Sequence, residues 1–210
     1  DATNVICNTL LAVFTSISRD HMGILGNSLE EIAAVKAGIL KPGCRAVTSR
    51  QQPEVMEILK AQAARLCCPL VTADSRQADV IQEGCDGQTL SYKEVSHVFC
   101  PLAGRHQIEN AVTALETIST LRALGYRISE EAVRQGLKET LWPGRFTCLG
   151  TEPLFFLDGA HNEEAAKRLR ESLETYFPGK RFLYIMGVFR DKEYEKIASI
   201  MGPLAESVHT

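Results

Sequence analysis

The chain reads as an α/β protein in two parts, and three observations predict this. Short apolar, β-branched runs alternate with segments of helical periodicity, the pattern that builds a sheet covered by helices. A Trp142-Pro143-Gly144 turn interrupts that rhythm, and strand and helix patterns then start afresh. Beyond it the apolar run Leu154-Phe155-Phe156-Leu157 ends abruptly in Asp158-Gly159-Ala160-His161-Asn162, a polar cluster at a strand tip, where open α/β sheets bind their ligands.

Taken in order, residues 10–17 are apolar and β-branched enough for a buried strand, and Ser18-Arg19-Asp20-His21 follows as a loop. Ser28-Leu29-Glu30-Glu31 fits a capping box that opens a helix. Ile32, Val35 and Ile39 repeat along it until Lys41-Pro42-Gly43 ends it. Residues 45–48 read as the next strand, 54–66 as a helix, 69–72 as a short strand, and 74–100 as a hairpin or small β excursion. A strong helical pattern spans 106–124, with Ile108, Ala111, Val112, Leu115 and Ile118 on one side, and Ser129 opens another helix through residue 137. After the turn, strands are expected over 146–149, 154–158 and 182–188, with helices over 162–173 and 193–201 and a last strand at the end.

Composition narrows the function class. With 210 residues, 45% hydrophobic, 23% charged and no low-complexity tract, a soluble globular product is expected, as one large domain or two small ones. The net charge of −3 is spread along the chain, which argues against nucleic acid or a membrane surface as the main partner; a small anionic ligand needs only a local basic site. The longest apolar run falls far short of the ~20 residues that cross a bilayer. Seven cysteines, an odd number without C-x-x-C spacing, fit reduced thiols acting as small hydrophobic fillers in a cytoplasmic protein. The start at Asp1 and the stop within a strand pattern lead to the expectation of a piece of a longer polypeptide, whose second part, about 65 residues, sits at the lower edge of what folds alone.

Several residues could carry chemistry. His21 follows a strand and could present a ring nitrogen to a metal, although a loop histidine is also an ordinary surface group. Lys36 lies among Ala33, Ala34, Val35, Ala37 and Gly38, a helix face too small and apolar for an ordinary run of solvated charge, where a lysine packs its stem and keeps its head in water. Gly104-Arg105-His106-Gln107-Ile108-Glu109-Asn110-Ala111 places polar side chains on the first turns of a long helix, suited to hydrogen bonding a base or to simple capping. Pro143-Gly144-Arg145 sets a cation just after a turn, and Asn162 suits a helix cap. In Gly187-Val188-Phe189-Arg190-Asp191-Lys192, Asp191 reads as a helix cap.

Taken together, WPGRF and LDGAHN resemble the entry into the C-terminal domain of the folylpolyglutamate synthase and dihydrofolate synthase family, relatives of the Mur ligases. Thr15-Ser16-Ile17, Asp20-His21, Lys36-Ala37-Gly38-Ile39 and the GxHQxxNA pattern at residues 104–111 match the same family. The resemblance implies the back half of a P-loop-type central domain followed by a truncated Rossmann-like C-terminal domain. Residues 1–141 would be the end of the ATP-binding domain, 142–144 a linker, and 145–210 the C-terminal domain. It implies ATP contacts from Asn110, Arg145, Asp158 and His161, a magnesium ligand in His21, and a catalytic role for Lys36, whose family counterpart is carbamylated. Weaker assignments fall to His106, Gln107, Asn162 and Lys192, the last near the glutamate substrate.

The implied activity is ligation of L-glutamate to dihydropteroate or folate through an acyl phosphate, with ATP and magnesium, by a monomer. The family's GTNGKGS-type phosphate loop and the metal-binding glutamate before DATN have no counterpart in the chain, so the 210 residues alone are expected to be inactive. A peptidoglycan-precursor Mur ligase is the nearest alternative, disfavoured by Gln107 and Gly159. A non-catalytic nucleotide-binding module and a metal hydrolase using His21 and Lys36 are further alternatives.

Overall fold

A computed structural model describes residues 4–18, 26–189 and 194–210. The chain forms two compact units that interleave in sequence: Asp1–Asp79, Tyr92–Glu94 and Glu109–Val133 make the first, and Val80–Ser91, Val95–Ile108 and Arg134–Thr210 the second. His21 and Lys192, with Asp20 and Asp191, lie outside the described residues.

The first unit is built from β1 (Leu11–Phe14), α1 (Leu29–Ala37), β2 (Arg45–Ser49), α2 (Pro53–Arg65) and β3 (Leu70–Ala73). The strands form a parallel sheet in the order β1-β2-β3, with Val13 opposite Val47 and Val47 opposite Val71. Parallel neighbours need a crossover, and each helix supplies one. Ser28 caps α1 by accepting the Glu31 N–H at 3.2 Å, while the Glu31 carboxylate reaches back to the N–H of Asn27 at 2.7 Å, one residue earlier than a reciprocal box requires. Pro53 opens α2, where a missing N–H costs nothing.

The first core gathers Phe14, Leu29, Ile32, Ala33, Val55 and Leu59 between sheet and helices. The expected stripe on α1 is corrected at Val35, which is 47% exposed; the buried face runs through Leu29, Ile32, Ala33 and Ala37. Small residues on both sides of α1 hid which side faces the sheet.

Next in order come β4 (Asp79–Gly84), β5 (Gly87–Tyr92) and β6 (Val95–Cys100), a sheet in that order whose two-residue connections suit antiparallel neighbours. They are followed by α3 (Arg105–Ala123) and α4 (Glu130–Lys138). Glu116 of α3 is buried yet fully engaged, accepting the Tyr92 hydroxyl and the Lys93 ammonium, each at 2.8 Å. Ser129 caps α4 through the Ala132 N–H at 3.1 Å.

The second unit ends with β7 (Thr147–Thr151), β8 (Leu154–Leu157), α5 (Glu163–Tyr176), β9 (Phe182–Ile185), α6 (Tyr194–Met201) and β10 (Ala205–His209). β7 and β8 form an antiparallel ribbon, and β9 and β10 a separate parallel pair. Phe146, Ala166, Leu173, Ile197 and Met201 make its core, with an aromatic chain running from Phe146 through Phe156, Phe177 and Phe182 to Tyr184. The reading of cysteines as fillers holds for Cys44, Cys68 and Cys100; Cys7, Cys67 and Cys148 are exposed, and all seven are free thiols. No helix among the described residues is long and apolar enough to cross a membrane.

Truncation of Ile32, fully buried, to alanine is expected to cost about 3 kcal/mol in urea unfolding, whereas Val35→Ala should change stability by less than about 0.5 kcal/mol. Equal losses would mean that both side chains face the core.

Candidate functional site

Two segments separated in sequence are stitched together by backbone hydrogen bonds. The Gly159 N–H donates to the Gly144 carbonyl at 2.8 Å, and the Phe146 N–H donates to Asp158 Oδ2 at 2.8 Å. The Ala160 N–H donates to Asp158 Oδ1 at 2.9 Å, so each carboxylate oxygen holds one strand of the stitch. Gly144 turns at φ +82°, a region that glycine enters without steric cost, and its N–H is held by Thr147 Oγ1 at 3.0 Å. Phe146 also has positive φ, at 48°, which for a bulky residue is strained. Its buried ring stacks on Phe156 at 4.7 Å, and together with the bond to Asp158 this fixes the conformation that leaves Arg145 exposed beside the strand tip.

Burial pushes the Asp158 carboxyl above its ordinary value, against the opposing pull of the two backbone N–H groups and of Arg145. His161 is exposed; its Nδ1 lies 2.9 Å from the Gly159 carbonyl, which makes Nδ1 the protonated nitrogen and leaves Nε2 as acceptor in the neutral ring. Asn162 caps α5 by accepting the Ala165 N–H at 2.8 Å.

At the start of α3, Gly104 adopts φ +101° and accepts the Gln107 N–H at 2.8 Å, opening the helix. His106 is half-buried on the first turn and Gln107 is buried. Desolvation, reinforced by the charges of Arg168 and Arg145, lowers the His106 pKa to about 4, so the ring is neutral near pH 7. Asn110 stands exposed one turn further along the same helix. Lys36 sits half-buried in the last turn of α1.

The second unit therefore brings Arg145 within electrostatic reach of both Asp158 and His106, and Arg168 within reach of His106. Two guanidiniums thus lie within electrostatic range of a neutral imidazole, one of them paired with Glu164 and the other near a carboxylate held by backbone N–H groups. Arg168 escaped the sequence reading because it sits in a run of i,i+4 pairs, donating to Glu164 at 3.3 Å next to the Glu163–Lys167 pair. Such spacing is the mark of a solvated helix face. Phe146 reads in the sequence only as the start of a strand, since backbone strain leaves no trace in composition. Among the described residues no group of three or more His, Cys, Asp or Glu could hold a metal ion.

Two outcomes follow from this geometry. A histidine kept neutral by the fold contributes stability that is complete above pH ~6.5 and is lost as pH falls to about 4, because only the unfolded chain binds the proton in that window. Wild type should lose up to about 3 kcal/mol more than His106→Gln between pH 7 and 4; parallel pH profiles would rule this out. Gly144→Ala, whose Cβ meets nothing within 4 Å, should cost about 1 kcal/mol from backbone strain alone, readable in thermal unfolding.

The same segments tie the chain to known proteins. Residues 2–118 match the Mur ligase middle domain, and residues 144–210 match the Mur ligase glutamate ligase domain. A dihydrofolate synthase/folylpolyglutamate synthase of Bacillus subtilis is 35% identical over 215 aligned positions, covering 100% of this chain and 50% of that protein. A Mycobacterium tuberculosis folylpolyglutamate synthase solved with ADP superposes with a TM-score of 0.85 at 34% identity, over 99% of this chain and 48% of that one. An FPGS–AMPPCP–folate complex gives 0.87 at 28% identity, over 99% and 52%. The chain thus spans about half the length of the curated relatives it matches. Its mixed α/β architecture and its two matched segments make it a member of the Mur ligase family, with parts of both the middle and the glutamate ligase domains.

Proposed function

We propose that the protein containing this chain is an ATP-dependent ligase that joins L-glutamate to the carboxylate of a folate or of dihydropteroate. In this reading a substrate carboxylate oxygen attacks the γ-phosphorus of ATP and ADP leaves. The glutamate nitrogen then attacks the acyl carbon, phosphate leaves, and the nitrogen gives up a proton. The stitched strand tip is the observation that carries it: Arg145 is held exposed beside Asp158 and His106 by the Gly159–Gly144 backbone bond and by the Phe146 N–H on the Asp158 carboxylate.

The planar guanidinium of Arg145 suits phosphate oxygens, and His161, three residues after Asp158, keeps its ring exposed at the strand tip through its Nδ1 contact with the Gly159 carbonyl. His106, neutral because it is desolvated between two arginines, can hydrogen-bond a nucleotide without adding charge. Gln107 and Asn110, both on α3, are assigned to the nucleotide by the resemblance, which also makes residues 142–144 the linker. Support comes from the relatives, which carry the names folylpolyglutamate synthase and dihydrofolate synthase and include structures with ADP and with AMPPCP and folate. Magnesium, with His21 and a carbamylated Lys36, rests on the resemblance of those segments alone. The described residues do not by themselves make a metal site, and no step is assigned to the metal.

The test is isotope-traced glutamate addition by the full-length protein, with dihydropteroate and with a reduced folate offered separately. Arg145→Ala is the cleaner probe, because the side chain is exposed while Asp158 also holds the fold. Turnover coupled to ADP release in wild type, and a loss of about 100-fold in Arg145→Ala with unchanged folding, are expected. Undiminished turnover in that variant would remove Arg145 from the site, and no glutamate addition by wild type would remove the reading.

A further inference from the structure

Tyr176 ends α5 with its ring in the second core and its hydroxyl in a polar niche. The hydroxyl accepts the Gly104 N–H at 2.8 Å and donates to Glu83 Oε1 at 3.2 Å. Its ring lies 5.8 Å from that of Phe146, tilted by 52°. One side chain thus touches the residue that follows Arg145 and the residue two positions before His106.

Gly104 is held on both of its peptide groups. Its carbonyl receives the Gln107 N–H at 2.8 Å and Gln88 Nε2 at 3.3 Å, and Gln88 also donates to the Leu102 carbonyl at 2.9 Å. Its N–H has Tyr176. A side chain at this position would be strained at a φ of +101° and would displace His106, whose Cε1 would lie 2.7 Å from the added Cβ, with Ser172 Oγ at 3.1 Å. The direction in which α3 starts, and with it where His106 and Gln107 point, is therefore set by a glycine whose amide is anchored on Tyr176. Burial pushes the phenol up to about 12, so the group remains an O–H donor to Glu83 while accepting from Gly104 across the working pH range.

We propose that Tyr176 is a positioning residue for the nucleotide, holding the first turn of α3 in register with the Arg145 turn through its bond to Gly104 and its contact with Phe146. The inference rests on the reading of this strand tip and helix start as an ATP site. The ring alone accounts for the packing against Phe146, and phenylalanine would supply it equally; the hydroxyl adds only the links to Gly104 and Glu83. Arg105, exposed and 3.9 Å from Glu83 and 3.8 Å from Glu171, contributes little to the same niche.

Tyr176→Phe in the full-length protein separates the two roles. Loss of one buried hydrogen bond that orients a binding turn should raise KM for ATP about fivefold. In the same variant kcat and KM for glutamate should stay close to wild type, with the melting temperature lowered only by the few degrees that one lost buried hydrogen bond costs. An unchanged KM for ATP would overturn the inference, as would losses of kcat and thermal stability that move together, the pattern of a purely structural hydroxyl. Wild type that fails to couple ATP cleavage to glutamate addition would instead overturn the functional reading and this inference with it. Failure confined to the variant falls on Tyr176 alone.

Discussion

The carboxylate of Asp158 is the constraint on which the candidate site depends. Each oxygen accepts one backbone N–H, from Phe146 on the turn and from Ala160 on the strand tip, and so turns two separate segments into one surface. A carboxylate doing this in a half-buried place is itself under tension: burial disfavours its charge and raises its pKa, while the N–H donors and Arg145 favour the charge. The same group that fixes the turn thus keeps a negative potential next to the exposed guanidinium. Phe146, in a left-handed conformation that costs on the order of 1–2 kcal/mol for an L-residue, persists because its N–H and its ring are both committed.

From that point the electrostatics follow. Arg145 stands exposed between two residues that are tied down, and its charge is felt by Asp158 and His106. Arg168 on α5 adds to the field at His106, and the imidazole answers by remaining neutral. The first turn of α3 then offers neutral hydrogen-bonding groups close to two cations, a division of labour suited to a ligand that is anionic at one end and a heterocycle at the other.

Much of this was legible in the residues. Alternation of apolar strands and helical segments marks the parallel sheet, Ser28 and Pro53 announce their helices, and the strand run into Asp158-Gly159-Ala160-His161-Asn162 marks the tip. Mur ligase membership was legible too, because its motifs are local in sequence. What stayed hidden is non-local or conformational. Val35 has the right spacing for a core stripe but sits on the exposed side of α1, and spacing alone does not say which way a small-residue helix turns. Arg168 is disguised by its pairing with Glu164, and the bond from Gly104 to Tyr176 spans 72 positions, beyond any pattern read along the chain. The left-handed turn at Phe146 has no composition signature at all.

Peptide-resolved hydrogen exchange tests the central claim most directly. If Asp158 joins the two segments, the amides of Phe146, Gly159 and Ala160 should be protected and should open together, at a common rate, although the first two lie thirteen positions apart. Fast, independent exchange of the 143–147 peptide beside a protected 154–161 peptide would show that the turn is a free loop and that Asp158 does not join the two segments.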